Sequence, residues 1–189
     1  YLLRGTPFLY QGEEIGMTNF PFTTESQLRD IESINLLSQA KTEGREAWAW
    51  NGILHKGRDN ARTPMQWEDA PNAGFTTGTP WIAVNPNYHG INVRHAQADP
   101  DSILNFYRAL LALRQRTPAL REGTFRLLLP EHPQLLVYER ACADERIVVC
   151  CNFSGKAATL PTEIAGQALL SSRCTGNTLE PYGYLVLSA

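Results

Sequence analysis

The sequence has almost no excess charge of either sign and no long apolar run. Lys and Arg number 17 against 19 for Asp and Glu, which gives a formal net charge of -2. Proteins that bind nucleic acid or anionic lipid through surface charge carry a basic patch, which this balance does not indicate. The longest apolar stretches, such as residues 147–151, fall far short of the roughly 20 residues that a membrane-spanning helix needs. We therefore expect neither a nucleic-acid nor a membrane partner.

Common catalytic and cofactor-binding motifs are also missing. The sequence has no Gly-x-Ser-x-Gly, no Gly-x-Gly-x-x-Gly, no phosphate-binding loop and no His pair at metal-ligand spacing. Its histidines are scattered, and each is expected on the surface or in a loop: His55, His89, His95 and His132. These absences argue against an independent serine hydrolase or metalloenzyme, so we expect no cofactor and no metal.

Cysteine usage favours free thiols. The four residues Cys142, Cys150, Cys151 and Cys174 show no Cys-x-x-Cys spacing. Two of them are adjacent in a β-branched run, where neighbouring side chains point to opposite faces of a strand. Buried free thiols fit a reducing compartment, so we expect a cytoplasmic protein.

The first hundred residues combine little regular structure with many turn signals. An apolar strand is predicted around Phe8 to Tyr10, followed by a loop that begins at Gln11. Gly, Pro and Asn recur through residues 21–98, where we predict one helix near residues 26–41. A loop region of this length in a compact domain is usually functional, for example as an active-site loop.

The clearest helix of the chain precedes a β-rich part. Apolar residues at helical spacing predict a helix over residues 102–116, with Asp99 or Asp101 as its cap and an end near Pro118. Short β-rich runs then follow at residues 124–129, 135–140, 146–152, 157–160, 167–171 and 182–187. This spacing predicts an antiparallel β-sandwich, and we place a domain boundary between residues 1–119 and 120–189.

Two groups of side chains resemble parts of a sugar-binding site. Glu13 and Glu14 look like paired glycosidase carboxylates, but consecutive strand residues face opposite sides, so we expect structural hydrogen bonding instead. Five aromatic residues, taken singly, are more typical of core packing than of sugar platforms: Trp48, Trp50, Phe75, Trp81 and Tyr88. Their density in a loop-rich region keeps a sugar, a cation or a hydrophobic ligand as alternatives.

The segment Arg58–Trp67 concentrates charged, amide and aromatic groups. An arginine fork can hold a carboxylate or donate to sugar hydroxyls, and an indole face can stack on a pyranose. The same residues could equally form a loop that is braced by its own ion pairs. Spacing alone does not separate these two interpretations.

Two motifs and their order carry a family resemblance. Residues 5–17, Gly-Thr-Pro-Phe-Leu-Tyr-Gln-Gly-Glu-Glu-Ile-Gly-Met, resemble the segment around the eighth barrel strand of the α-amylase superfamily, glycoside hydrolase family 13. Residues 58–67, 72–77 and 81–88 resemble the following loop of its oligo-1,6-glucosidase group. The likeness covers nearly the whole chain and is strongest up to about residue 115.

This resemblance implies a fold and a reaction. The chain would supply the eighth strand, the long loop and the eighth helix, residues 102–116, of a (β/α)8 TIM barrel, followed by the β-sandwich. The loop would cover the sugar pocket, because such barrels bind substrate at the C-terminal ends of their strands. The parent protein would be a retaining, exo-acting α-glucosidase that acts on short α-glucosides. Its three catalytic carboxylates would lie upstream of Tyr1, so we assign no catalytic residue and expect the isolated chain to be inactive.

Three residues are assigned to substrate binding through the resemblance. Arg58 matches the arginine that, with an upstream aspartate, grips the non-reducing glucose. Glu32 matches a carboxylate that lines the leaving-group subsite. Arg62 is a further candidate whose alternative role is to brace the loop. The expected partner is an oligosaccharide.

Three other functions stay open. Trehalose-6-phosphate hydrolases and sucrose isomerases share much of this part of the sequence. Pro64-Met65-Gln66 resembles the hydrolases more than the isomerases, in which Phe usually follows the proline. A non-catalytic carbohydrate-binding module is the third alternative. Its binding surface would have to use Phe125, Tyr138, Phe153, Tyr182 and Tyr184, which we expect to pack in the core.

Overall fold

A computed structural model describes residues 1–189, which form two compact units. One unit consists of residues 9–107, and the other consists of residues 1–8 together with 108–189. None of the helices combines the length and the apolar character that crossing a bilayer would require. We call residues 9–107 the loop unit, and we call residues 1–8 together with 108–189 the sheet unit.

The loop unit is built around two consecutive helices. Helix α1 spans Ile31–Thr42 and helix α2 spans Glu46–Lys56. Gly44, at a φ of 67°, makes the turn between them in a backbone conformation that glycine adopts without strain. The two helices enclose an apolar core with the preceding loop: Phe20, Phe22, Leu28, Leu37, Ala40, Ala49, Ile53 and Ile82.

Helix prediction was only partly correct in this unit. The helix expected from residue 26 begins at Ile31, because the Asp30 carboxylate caps it by accepting from the Ser33 amide. Helix α2 was missed because it buries only Ala49 and Ile53, a face too narrow to produce a clear apolar periodicity. A short helix α3, Val93–Ala98, was also missed. The region from residue 21 to 98 is therefore less irregular than its Gly and Pro content predicted.

The strand predicted around Phe8 to Tyr10 is wrong for this structure. Phe8, Leu9 and Tyr10 have the apolar and aromatic side chains typical of a strand. They are not part of a strand in the structure, and their side chains are exposed. A strand is stabilised by a neighbouring strand, and none of the strands in this chain pairs with these residues.

The predicted helix near residue 103 is confirmed, whereas its predicted cap is wrong. Helix α4 spans Ile103–Arg116 and buries Leu110 and Leu113. The Ser102 hydroxyl accepts from the Asn105 amide at 3.2 Å, so Ser102 and neither candidate aspartate is the cap. A short helix α5, Pro118–Glu122, follows.

The sheet unit contains all six predicted strands. They are β1 Thr124–Leu127, β2 Leu135–Cys142, β3 Glu145–Asn152, β4 Ala158–Thr159, β5 Gln167–Thr175 and β6 Thr178–Ser188. All pairs are antiparallel, in the order β1-β2-β3-β6-β4, with β5 also paired to β6. Every second residue of the central strands enters the core, for example Leu135 and Val137 on β2 and Val148 and Cys150 on β3.

Three of the five aromatic residues expected in this core are exposed instead. Tyr138 is buried, but Phe125, Phe153 and Tyr182 are 40%, 71% and 66% exposed. Phe153 follows the last residue of β3, where alternation no longer sets the side-chain direction. Tyr182 has a φ of 59°, which breaks the alternation within β6. The expectation of core packing is therefore wrong for these three residues.

Two arginines fix the first residues of the sheet unit. Arg140 is fully buried and donates at 2.9–3.0 Å to four backbone carbonyls, those of Leu2, Leu120, Gly123 and Thr124. Arg114 donates to the carbonyls of Tyr1, Leu3 and Gly5. Burial lowers the pKa of Arg140, and the positive charge of Arg114 lowers it further.

The cysteines all lie in the sheet unit and are free, as predicted. Burial raises the pKa of the Cys150 thiol to about 12, and it also raises the pKa values of Cys151 and Cys174. Thiols with raised pKa values are poor nucleophiles at neutral pH, so these residues act as small apolar side chains.

Candidate functional site

A buried carboxylate organises the charged residues of the loop unit. Asp30 is 3% exposed and lies immediately before α1. One of its oxygens, Oδ2, accepts from the amide and the hydroxyl of Ser33 at 3.1 and 3.0 Å. Its other oxygen, Oδ1, faces two arginines. Asp30 therefore caps the helix and anchors the cationic groups beside it.

Arg58 binds this carboxylate edge-on. Its Nε and Nη2 atoms lie 3.1 and 3.0 Å from Asp30 Oδ1, and Nη2 also lies 3.0 Å from Glu32 Oε1. The remaining atom, Nη1, has no partner within the chain. The side chain is 51% exposed, so this free end can donate to a ligand.

Arg62 is tied to the same anion from another direction. Its Nη1 lies 3.3 Å from Asp30 Oδ1 and 3.5 Å from Asp59 Oδ1. Asp59, 2% exposed, uses its second oxygen to accept from the amides of Arg29 and Asp30 at 2.7 and 2.9 Å. These contacts join the start of α1 to the segment Arg58–Arg62, a short 3-10 helix.

The charge state of Asp30 follows from its partners. Burial on its own would raise the pKa of Asp30, but hydrogen bonds from Ser33 and the charge of Arg58 outweigh it and hold the pKa below the ordinary value of 3.8. Asp30 is therefore ionised at neutral pH and compensates part of the charge of both arginines.

Glu32 lies on the first turn of α1, outside the buried part of the cluster. Its side chain is 75% exposed and contacts the chain's charged groups only through Arg58. A carboxylate on the first turn of a helix is also stabilised by the helix dipole. Its second oxygen remains accessible to a hydroxyl group.

Two depressions meet at Arg58. One has a volume of about 530 Å3 and is lined on its other sides by Tyr10, Glu13, Asn19, Lys56 and Asn60, among others. The second, of about 180 Å3, lies between Arg58 and Glu32. The larger volume falls within the roughly 300–1,000 Å3 of typical small-molecule sites. Arg58 thus lines both depressions, and its Nη1 atom is not bonded within the chain.

Glu13, the other acidic candidate, is engaged in the chain. Its Oε2 accepts from the Tyr10 amide at 3.2 Å, and its Oε1 accepts from the Tyr107 hydroxyl at 2.6 Å. These bonds match the structural role expected from the sequence. Glu14 lies in the same 3-10 turn, and its Oε2 atom is buried without a hydrogen-bond partner, so the hydrogen bonding expected for it is not seen at this atom.

The structure brings together all three residues assigned to substrate binding. Arg58 and Arg62 share Asp30, and Arg58 also bonds to Glu32. Sequence reasoning missed the two aspartates that hold them, Asp30 and Asp59. A weak signal existed for Asp30, since Asp is one of the residues preferred at the N-cap of a helix.

Three of the five aromatic residues that were expected to pack in the core of the loop unit are exposed, whereas Trp50 packs against that core. Trp48, Phe75 and Trp81 are exposed, and Trp50 and Tyr88 are half-buried. The core is instead filled by Phe20, Phe22 and aliphatic residues of the two helices. Large aromatic groups are therefore available on the surface of this unit.

A protein-family comparison identifies the catalytic part to which the chain is similar. The model described as alpha amylase, catalytic domain, matches residues 1–123. The match includes both motifs on which the resemblance was based.

Similar full-length proteins are sugar-active enzymes. The chain is 50% identical over 160 residues to a probable oligo-1,6-glucosidase 2 of Bacillus subtilis strain 168, which covers 84% of this chain and 28% of that protein. It is 46% identical over 153 residues to a trehalose-6-phosphate hydrolase of Escherichia coli K12, covering 80% and 28%. The chain thus spans less than a third of the length of these relatives.

A solved structure extends the similarity to the whole fold. Trehalulose synthase MutB from Pseudomonas mesoacidophila MX-45 superposes with a TM-score of 0.89 at 37% identity, over 98% of this chain and 36% of that one. A mutant of MutB has been solved in complex with the substrate sucrose. The backbone arrangement described above therefore also occurs within a larger enzyme.

Proposed function

This chain belongs to the α-amylase family, and from that premise we propose that it is the C-terminal part of a retaining, exo-acting α-glucosidase that hydrolyses short α-glucosides. The catalytic carboxylates would come from the part of the parent protein upstream of Tyr1. In this proposal the chain supplies the cover and one wall of the sugar pocket, and it is inactive by itself.

The proposed architecture assigns residues 1–119 to a (β/α)8 barrel and residues 120–189 to a C-terminal β-sandwich. The segment around Phe8 would become the eighth strand once a neighbouring strand supplies its hydrogen-bond partners. Helix α4 would be the eighth barrel helix. The family match up to residue 123 and the similarity to MutB support this assignment.

The observation that carries the proposal is the arrangement of Arg58. Asp30 fixes its Nε and Nη2 atoms, while Nη1 stays free beside a cavity of about 530 Å3. A guanidinium that is held at one edge can donate to two sugar hydroxyls, or to a carboxylate, without losing further side-chain entropy. Such a group suits the closed end of an exo-acting pocket, where the non-reducing sugar is recognised.

Glu32 and Arg62 take different parts in the proposed site. Glu32 would accept hydrogen bonds from the leaving group, because its exposed carboxylate lies next to the smaller depression. Arg62 would keep Asp30 and Asp59 charge-compensated. Hydrolysis itself would follow the two-carboxylate route with a glycosyl-enzyme intermediate.

The compartment and the substrate are part of the same proposal. Four free thiols favour the reducing cytoplasm. The names and titles of the relatives mention an oligo-1,6-glucosidase, a trehalose-6-phosphate hydrolase and the substrate sucrose. Among these substrate classes we propose neutral oligosaccharides for the parent protein. The lining of the larger cavity includes two cations, Lys56 and Arg58, which leaves a phosphorylated α-glucoside as the alternative.

A kinetic experiment on the full-length parent tests the proposal. Arg58→Ala should lower kcat/KM for isomaltose by about 100-fold, since charge-assisted hydrogen bonds contribute about 1.5–3 kcal/mol. Arg94→Ala is the matched control, because Arg94 is an exposed arginine of the same unit that is paired only with Glu68. An unchanged kcat/KM in Arg58→Ala, or hydrolysis of p-nitrophenyl α-glucoside by the 189-residue chain alone, would contradict the proposal.

A carbohydrate-binding module is the second candidate, and one observation favours it. Phe153 and Tyr182 of the sheet unit are both largely exposed, and the Tyr182 amide donates to the Ser154 carbonyl at 3.3 Å. Exposed aromatic groups of this kind can stack on sugars. Calorimetric titration of the chain with maltotriose should show binding that the double variant Phe153→Ala/Tyr182→Ala loses if this candidate is correct.

A further inference from the structure

A second concave surface of the loop unit combines exposed aromatic rings with polar groups. It has a volume of about 530 Å3 and is lined by residues of the segments 20–29 and 72–88. We call it the Trp81 groove. Arg58, Arg62 and Glu32 do not line it.

The groove has a rigid aromatic wall. Trp81 is 62% exposed, although the next residue, Ile82, is 3% exposed and belongs to the apolar core. Arg29 Nε donates to the Trp81 carbonyl at 3.3 Å. The backbone on both sides of the indole is thus fixed while its ring remains open to solvent. An aromatic ring held in this way can stack on the apolar face of a pyranose at little entropic cost.

Three polar side chains that line the groove, Gln27, Arg29 and Asn72, each have one bonded end and one end without a partner. Gln27 Oε1 accepts from the amides of Thr23 and Thr24 at 2.8 and 3.0 Å, which leaves its Nε2 without a partner. Arg29 uses Nη1 for the carbonyls of Ser26 and Leu28, which leaves Nη2 without one.

Asn72 shows the same arrangement with the opposite polarity. Its Nδ2 donates to the carbonyls of Thr76 and Gly78 at 3.1 and 2.9 Å, which leaves Oδ1 as an unused acceptor. Its backbone is in the left-handed region, at a φ of 53°, a conformation that asparagine tolerates. The residues that line the groove therefore carry two unused donor groups and one unused acceptor, a set of the kind that pairs with adjacent sugar hydroxyls.

The charge of the lining restricts the ligand. Arg29 is its one charged residue, and no carboxylate lines the groove. Cationic ligands are therefore disfavoured. A neutral polyhydroxylated ligand satisfies both the free polar ends and the aromatic wall, whereas an apolar peptide would leave the polar ends unpaired.

The groove and the Asp30 cluster are joined through two adjacent residues, Arg29 and Asp30. The amides of Arg29 and Asp30 both donate to Asp59 Oδ2. Their side chains diverge, so that Arg29 reaches Trp81 and Asp30 reaches Arg58. The two sites are thus separate in their lining but share a backbone support.

We propose that the Trp81 groove is an accessory binding site for neutral α-linked gluco-oligosaccharides, separate from the site at Arg58. The choice of an α-glucoside rests on the proposed function, whereas the position of the site rests on the groove itself. The groove would hold a distal part of a substrate chain or a second oligosaccharide molecule.

Titration of the 189-residue chain with isomaltotriose, followed by saturation-transfer NMR and calorimetry, tests this inference. We expect saturable binding that weakens about 10-fold in Trp81→Ala, the size expected when one aromatic stacking contact is lost. Trp48→Ala is the matched control, because Trp48 is 60% exposed in the same unit but does not line the groove. Its affinity should equal that of the unchanged chain.

Two further variants extend the test of the groove. Gln27→Glu keeps the acceptor that bonds to the Thr23 and Thr24 amides and removes the free donor, and it should also weaken binding, so the test does not depend on the folding of Trp81→Ala. Arg94→Ala, at an exposed arginine that lines neither the groove nor the depressions at Arg58, should leave the affinity unchanged. Absence of saturable binding, equal affinity in Trp81→Ala and Trp48→Ala, or loss of binding in Arg94→Ala would overturn the inference. Equal binding of the β-linked cellotriose would overturn the assignment to α-glucosides. None of these results depends on the kinetic test of Arg58 in the parent.

Discussion

Arginine is held in contrasting ways in the two units of this chain. In the sheet unit, Arg140 is fully buried and donates only to backbone carbonyls. In the loop unit, Arg58 is half-exposed, bonds only to carboxylates and keeps Nη1 free. The first arrangement uses four of the five N–H donors of the guanidinium to join chain segments. The second fixes the orientation of the group and leaves part of it for a ligand.

The acceptors explain the difference in role. Carbonyl groups are neutral and belong to the backbone, so their geometry persists whenever the fold does. Carboxylates add charge compensation and can be protonated, which makes the Asp30 cluster dependent on pH. A comparison of substitutions in the two regions should therefore separate a purely structural arginine from one that also has a binding role.

The largest effect is expected for Arg140→Met in the sheet unit. Methionine fills part of the volume but leaves the four carbonyls without their donor. Because each unsatisfied buried group costs about 1–3 kcal/mol, we expect a loss of at least about 3 kcal/mol in the free energy of unfolding. Urea denaturation measures it. Arg126→Met is the control: Arg126 is 65% exposed, is paired with Glu139, and its loss should cost less than about 1 kcal/mol. Similar losses in both variants would show that the carbonyl bonds of Arg140 contribute little.

A smaller effect is expected for Asp30→Asn in the loop unit. Asparagine retains the capping of α1 but removes the charge that Arg58 and Arg62 share. We expect a loss of about 1–3 kcal/mol at pH 7, measured by urea denaturation with tryptophan fluorescence. Asp69→Asn is the control, since Asp69 is exposed and paired only with His89, and it should change stability by less than about 0.5 kcal/mol.

The effect of pH sharpens this comparison. The pKa of Asp30 is lower in the folded chain than its ordinary value of 3.8, so its contribution to stability is complete above that value. It is lost as the pH falls from 3.8 through the lower folded pKa. The difference in stability between the unchanged chain and Asp30→Asn should therefore shrink over this range. The corresponding difference for Arg140→Met should stay constant. A constant difference for Asp30→Asn would show that its charge is not what stabilises the cluster.

The smallest effect is expected for Glu32→Gln. Glu32 is largely exposed, and exposed ion pairs contribute at most about 1 kcal/mol. The free energy of unfolding should therefore change by less than about 0.5 kcal/mol. Arg58 remains bonded to Asp30 in this variant. In the parent enzyme the change should alter discrimination between leaving groups more than kcat/KM for a single substrate. A stability loss as large as that of Asp30→Asn would assign Glu32 to the scaffold and not to the ligand.

Much of the fold could be predicted from local patterns. The six strands and helix α4 were located because their periodicities of two and 3.6 residues are properties of the sequence itself. Helix α2 escaped because its buried face is narrow, and the strand at Phe8 was overpredicted because propensity cannot supply a pairing partner. Caps were uncertain for a related reason: Asp99, Asp101 and Ser102 are all good capping residues, and only the backbone geometry selects Ser102.

The exposed residues of the candidate site were predicted from the sequence, whereas its buried residues were missed. Arg58, Glu32 and Arg62 followed from the motifs. Asp30 and Asp59 did not, because their importance depends on the meeting of two segments about thirty residues apart. The exposure of Trp81 was likewise not predicted, since the sequence does not show whether other segments will pack over an aromatic side chain.

The sequence by itself determined the family, the order of the elements and the residue types that could grip a sugar, because these depend on local periodicity and on motif identity. Only the tertiary structure decided which charges are shared, which aromatic rings are exposed and which ends of the polar side chains are free. These properties arise from distances between segments that are remote in the chain, and the same residues could be paired differently without any change in local pattern.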